Sequence, residues 1–180
     1  MTYHVFAPEL IREADTTFAD DTDVIVVGTG AGGFTAAITA AKNGARVIQL
    51  EKAQTIGGTT KKAAAAYWVP NNHFMKQKGW ADPKPDALKH MARLTRPQHY
   101  DPNKANLGLT DWEYTMTEAF YDNAGTAIET LTAWGALEPI PWDVQPDYYA
   151  QMDENKAPHG RIIYPTCSAA VPTTSATAPT

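Results

Sequence analysis

An α/β fold opening on a parallel βαβ unit is predicted by three features of the first fifty or so residues. Val24 to Val27 form a short apolar, β-branched run. Gly28, Gly30 and Gly33 follow it in G-x-G-x-x-G spacing, and a second apolar run from Arg46 to Leu50 ends on an acid, Glu51.

Each part has a physical reason. An apolar run that starts abruptly after polar residues reads as a parallel strand buried on both faces. The first glycine permits a tight strand-to-helix turn, the second lets a pyrophosphate approach the backbone, and the third lets the helix pack closely on the strand. The segment that follows, with Ala36, Ala37, Ile38, Ala40 and Ala41, is rich in helix formers, and Gly44 suits the position just past a helix end. Phosphate would sit over the helix N-terminus, where unpaired N–H groups and the positive end of the helix dipole attract an anion without any lysine. Glu51, about twenty residues beyond the glycines, is placed to accept hydrogen bonds from an adenosine ribose and to repel a 2′-phosphate. The pattern therefore predicts a dinucleotide site that disfavours NADP.

Directly after this acid a second glycine pair, Gly57 and Gly58, is followed by two hydroxyls, Thr59 and Thr60. A nicotinamide-binding domain would proceed to its next helix at this point. Bare backbone and short donors suit a longer, more extended cofactor.

The run V-V-G-T-G-A-G-G, the E-K pair at 51 and 52, G-G-T-T at 57 to 60 and W-V-P-N at 68 to 71 carry a resemblance to a known family, continued more weakly by P-D-Y-Y at 146 to 149 and G-R-I-I-Y-P at 160 to 165. In these motifs the chain resembles the FAD-dependent oxidoreductases of the fumarate reductase and succinate dehydrogenase flavoprotein superfamily, and within it the 3-ketosteroid dehydrogenase branch. The resemblance implies a Rossmann-like FAD/NAD(P)-binding domain, here incomplete and carrying additional helices. It implies FAD as cofactor, held by Gly28, Gly30, Ala31, Gly32 and Gly33 at the pyrophosphate. Glu51 and Lys52 would lie at the adenosine, Gly57, Gly58, Thr59 and Thr60 at the pyrophosphate and ribitol, and Ala64 and Ala65, within the turn Ala63 to Ala66, beside the flavin ring. Where many relatives have Ser-Gly or Gly-Gly in that turn, this chain has four alanines, and helix propensity alone would start a helix there. Tyr149, the second tyrosine of P-D-Y-Y, is implied to be a catalytic residue that lines the substrate pocket, its phenol helping to stabilise the reacting region.

The organisation expected is an N-terminal extension over 1–22, the N-terminal part of an FAD-binding domain over 23–165, and a Thr/Ala/Ser/Pro tail over 166–180 too poor in apolar residues to order. A helix is predicted from Asp82 to Leu94, with Pro83 and Pro85 in its first turn and Pro97 ending it. Thr110 and Glu113 match a capping box that opens a helix through Trp112, Met116 and Phe120. The pattern hesitates at Asp122 to Gly125, and a second helix with Ile128, Leu131 and Trp134 on one face is expected to stop at Gly135. The aromatics of both are expected in the core. Prolines from Ala136 to Pro146 argue against a regular element, and Arg161 to Tyr164 is expected to be a short strand.

With 43% hydrophobic residues and a net charge of -5 over 180 residues, the chain has the composition of a soluble globular protein, and the cytoplasm is the expected compartment. Its acidity and its single basic pair, Lys61 and Lys62, argue against a nucleic-acid partner, and its apolar runs are too short to span a membrane. The five histidines lack metal-ligand spacing, so no metal site is expected, and each is read as a surface or hydrogen-bonded residue. Cys167 is a lone thiol. The function implied by the resemblance is hydride transfer at a carbon-carbon bond next to a carbonyl, with a ketosteroid as substrate. The alternatives are a fumarate reductase-like enzyme acting on a dicarboxylate, for which Arg161 is the one arginine near a candidate wall, or an inactive fragment that retains only the dinucleotide motif. Two strands and a possible third cannot complete a doubly wound sheet, so the chain is expected to be a truncated N-terminal portion without turnover of its own.

Overall fold

The computed structural model describes residues 21–166, and the chain divides between Lys61 and Lys62 into two compact units. The proposed tail beyond Thr166, with Cys167, and most of the N-terminal extension lie outside the described residues.

The first unit is a βαβ hairpin of parallel strands. Strand β1 (Val24–Val27) leads into helix α1 (Ala31–Lys42) and then strand β2 (Val47–Leu50). The strands pair in parallel with Val24 opposite Val47 and Val27 opposite Leu50. Helix α1 ends as its sequence predicts: Asn43 caps it and Gly44 takes a left-handed φ of 89°, the conformation a side chain disfavours. Burial is less complete than expected. Val24 and Val26 are half-buried, but Ile25 is 61% and Val27 83% exposed. A two-stranded sheet covered by one helix can bury only one of its faces.

The second unit is mixed. After a three-residue 3₁₀ turn at Thr60–Lys62, where the division falls, come strand β3 (Tyr67–Trp68), helices α2 (His73–Gln77), α3 (Lys84–Thr95) and α4 (Asp111–Ala133), then strands β4 (Pro139–Pro141) and β5 (Ile162–Pro165). The strands form an antiparallel sheet in the order β3-β5-β4. Ala64 and Ala65 therefore stand in an irregular turn, and the helix that alanine propensity would favour is absent.

Helix α3 matches its expected span closely, with Pro85 in its first turn and Arg93 in its last. Its inner face supplies Ala87, Leu88, Met91 and Ala92 to a core completed by Leu107 and Leu109. Helix α4 corrects two expectations. Its capping box forms as predicted, but it runs as one helix of 23 residues through Asp122 to Gly125. An interior glycine costs only about 1 kcal/mol, and the Asn123 amide donates to the Ala119 carbonyl within the helix, so neither residue breaks it. Nor does its aromatic stripe enter a core: Trp112 is 70%, Met116 50% and Phe120 44% exposed, and Trp134 is half-buried. The proline-rich stretch after it still forms the short strand β4, because Pro139 and Pro141 sit on an edge strand, where a missing N–H is tolerated.

Candidate functional site

In the first unit, the three glycines of the fingerprint stand in three different surroundings. Gly28 has a φ of 99°, the left-handed turn out of β1. A Cβ on Gly33 would lie 2.1 Å from the Gly28 carbonyl oxygen, so that position is fixed by helix-to-strand packing. The same carbonyl accepts a 2.9 Å bond from the Gln49 amide on β2. Gly30 is different. Its φ of -69° is open to any residue, and a Cβ there meets no protein atom within 4 Å. The protein itself gives no reason for glycine at Gly30.

The helix start beside it keeps free donors. Gly30 caps α1 without a side-chain bond, and the amides of Gly32 and Gly33 have no acceptor among the described residues. The Ala31 amide donates to the Thr60 hydroxyl at 3.2 Å. Thr60 therefore reaches the helix start from the second loop, but by filling one of its donors. Gly58 lies against Gly30 as well: its own Cβ would come to 3.4 Å from the Gly30 Cα. Thr59 and Lys52 are exposed.

Glu51 stands at the end of β2 with its carboxylate largely committed. Oε2 accepts both the Thr29 amide, at 3.1 Å, and the Thr29 hydroxyl, while Oε1 accepts the Ala53 amide at 2.8 Å. The bond from Ala53 and then those from Thr29 hold this carboxyl below its ordinary pKa. A carboxylate offers about four acceptor positions, and the bonds from Thr29 and Ala53 occupy three of them. Thr29, buried at 4% exposure, also accepts the Gly57 amide at 2.8 Å. Motif reading passed over it as the variable residue of G-x-G. Its only sequence signal was a hydroxyl between two glycines.

In the second unit, Ala65 adopts a φ of 63°, the left-handed conformation in which glycine would be unstrained. Both Ala64 and Ala65 are exposed. Tyr149 also has a positive φ, 53°, and with Tyr148 borders an apolar cleft of about 460 Å³ whose other walls include Trp68, Met91, Met116 and Phe120. The Trp68 and Phe120 rings stack at 6.3 Å. Met116 and Phe120 of the α4 stripe thus form one wall of this cleft.

Arg161 does not serve as the free arginine a dicarboxylate would need. It is fully buried, with Nε and Nη2 donating to Asp82 at 2.9 and 2.7 Å and Nη1 donating to Asp147 at 2.9 Å. Burial works against its charge, and the two carboxylates outweigh that, so its pKa is raised. His90 corrects another expectation. It is fully buried, and neither ring nitrogen has a partner. Burial, and then the nearby Arg161 charge, push its pKa down.

The chain matches the FAD-binding domain family over residues 23–177. It is 42% identical over 69 residues to the 3-oxosteroid 1-dehydrogenase of Mycolicibacterium smegmatis, covering 38% of this chain and 12% of that protein. It is 35% identical over 118 residues to the urocanate reductase of Eggerthella lenta, covering 65% of this chain and 19% of that protein. Among solved structures, it is similar to the 3-ketosteroid Δ1-dehydrogenase of Sterolibacterium denitrificans, in complex with 1,4-androstadiene-3,17-dione, at a TM-score of 0.61 and 30% identity, covering 80% of this chain and 23% of that one. The chain thus spans less than a quarter of the length of each of these relatives. Among the described residues, no helix is long and apolar enough to cross a membrane. With the glycine fingerprint, the strand-end acid and the second glycine loop all inside the matched span, the chain belongs to the FAD-binding domain family.

Proposed function

We propose that residues 23–165 are the N-terminal part of a Rossmann-like FAD-binding domain, preceded by an extension over 1–22 and followed by a tail over 166–180, and that its enzyme transfers hydride at a carbon-carbon bond beside a carbonyl. The observation that carries the cofactor reading is Gly30, where open space adjoins two unpartnered helix amides. The amides of Gly32 and Gly33 would hold the pyrophosphate, Gly28 and Gly30 would keep the backbone bare beside it, and the open position on Glu51 would take a ribose hydroxyl. Ala31, Lys52, Gly57, Gly58, Thr59 and Thr60 complete the contacts that the resemblance assigns, and Ala64 and Ala65 are assigned to the flavin ring on the resemblance alone. When bound, FAD supplies the acceptance or donation of hydride.

Two observations favour a ketosteroid-like substrate over a dicarboxylate. The cleft beside Tyr149 is lined by aromatic and apolar side chains, and Arg161 is consumed by Asp82 and Asp147. In this reading the Tyr149 phenol packs on an apolar ring system while hydrogen-bonding an oxygen. Turnover belongs to a chain of the relatives' length, and the 180-residue chain is expected to show none.

The cofactor reading is tested by fluorescence titration of the chain with FAD, NAD and NADP. FAD should bind best, and tighter binding of NAD would overturn the assignment.

A further inference from the structure

We infer that Asp147 is the positioning residue of the apolar cleft, fixing two of its walls at once through a single carboxylate. Oδ1 of Asp147 accepts the Trp68 indole N–H at 2.7 Å and the Tyr148 backbone amide at 2.8 Å. The first bond orients an aromatic wall of the cleft. The second holds the Tyr148 amide at the start of the turn that presents Tyr148 and Tyr149, a turn closed by the Ala150 amide on the Asp147 backbone carbonyl at 3.2 Å, and the left-handed backbone at Tyr149 needs such restraint to persist.

The other oxygen anchors this arrangement. Oδ2 of Asp147 accepts Nη1 of Arg161, which is itself held by both oxygens of Asp82. Asp82 in turn accepts the Asn71 amide at 3.0 Å, and the Arg161 guanidinium lies 5.2 Å from the Trp68 ring centre. All three charged side chains are buried. A buried ion cluster contributes little net stability compared with apolar residues of the same shape, but it restrains geometry, because moving any one member away leaves an uncompensated charge or unpaired donor in the interior. Asn155 sits in the same cluster, its side-chain oxygen 3.3 Å from Nη1 of Arg161. The exposed tyrosines and the stacked tryptophan therefore share one fixed origin, although they lie far apart in the chain.

This role rests on reading the cleft as the substrate end, so the test needs no substrate. Backbone and indole ¹⁵N order parameters are measured on the 180-residue chain and on Asp147→Asn, which places an amide NH₂ against the Arg161 guanidinium. In the wild type, the Tyr148 to Ala150 amides and the Trp68 indole should be ordered at about 0.85. In the variant they should fall below about 0.6 while the amides of α3 stay unchanged. Unchanged order at Tyr148 to Ala150, or an equal loss throughout α3, overturns the inference. Should Asp147→Asn not fold, hydrogen exchange on the wild type decides: the Tyr148 amide and the Trp68 indole N–H should share one opening free energy. A Tyr148 amide that exchanges unprotected while the indole is protected overturns it. Failure of a ring ketone to bind the wild-type chain, with the order pattern intact, removes the substrate reading and leaves the positioning role standing.

Discussion

The Thr29 hydroxyl donates to the Glu51 carboxylate and accepts the Gly57 amide, so one buried side chain ties the strand-end acid to the second glycine loop. Thr29→Val keeps the shape and removes both bonds. The Gly57 amide would lose its partner, at a cost of about 1–3 kcal/mol. FAD affinity of the chain should fall about tenfold or more, with the far-ultraviolet circular dichroism spectrum unchanged. Equal affinity in isothermal titration would show that the loop is held by other contacts.

Gly30 and Gly33 should respond in opposite ways to the same substitution. Gly33→Ala forces a methyl into the Gly28 carbonyl and should destabilise the chain by about 1–3 kcal/mol in urea unfolding. Gly30→Ala meets open space in the protein and should leave the unfolding midpoint unchanged while weakening FAD binding. A Gly30→Ala chain that binds FAD as the parent does would remove the pyrophosphate from this position.

His90 predicts a loss of stability in acid. Its folded pKa lies below its ordinary value because the ring is buried without a partner, so the unfolded chain binds the proton more readily. The stabilisation is complete above the unfolded value of about 6.5 and declines as pH falls from there toward the folded value. His90→Leu removes this titration, so its urea midpoint should fall less between pH 7 and pH 5 than that of the wild type. Parallel declines would mean that His90 takes up its proton equally well in the folded chain.

Local features of the chain were sufficient for the βαβ unit. A β-branched run, glycines at fixed offsets and an acid at the strand end each restrict the backbone within a few residues, and the structure realises them as β1, α1 and β2 in parallel register. The Thr110–Glu113 capping box and the end of α1 at Gly44 were legible for the same reason. The family match begins with this stretch and extends over residues 23–177.

What depends on contacts between distant segments was decided only by the tertiary structure. Helical spacing in Trp112, Met116 and Phe120 marks an apolar face but not what covers it: Met116 and Phe120 line an open cleft instead of a core, and Trp112 is 70% exposed. Nothing near Asp82, Asp147 or Arg161 in the sequence indicates that the three share one buried cluster, since they are brought together from separate loops and from the start of β5. His90 reads as an ordinary helical histidine until packing removes its water, and Thr29 as a variable residue until the Gly57 loop folds onto it. Backbone preference acts over a few residues, whereas desolvation and ion pairing act through space, so the chain order carried the elements and their packing carried the site.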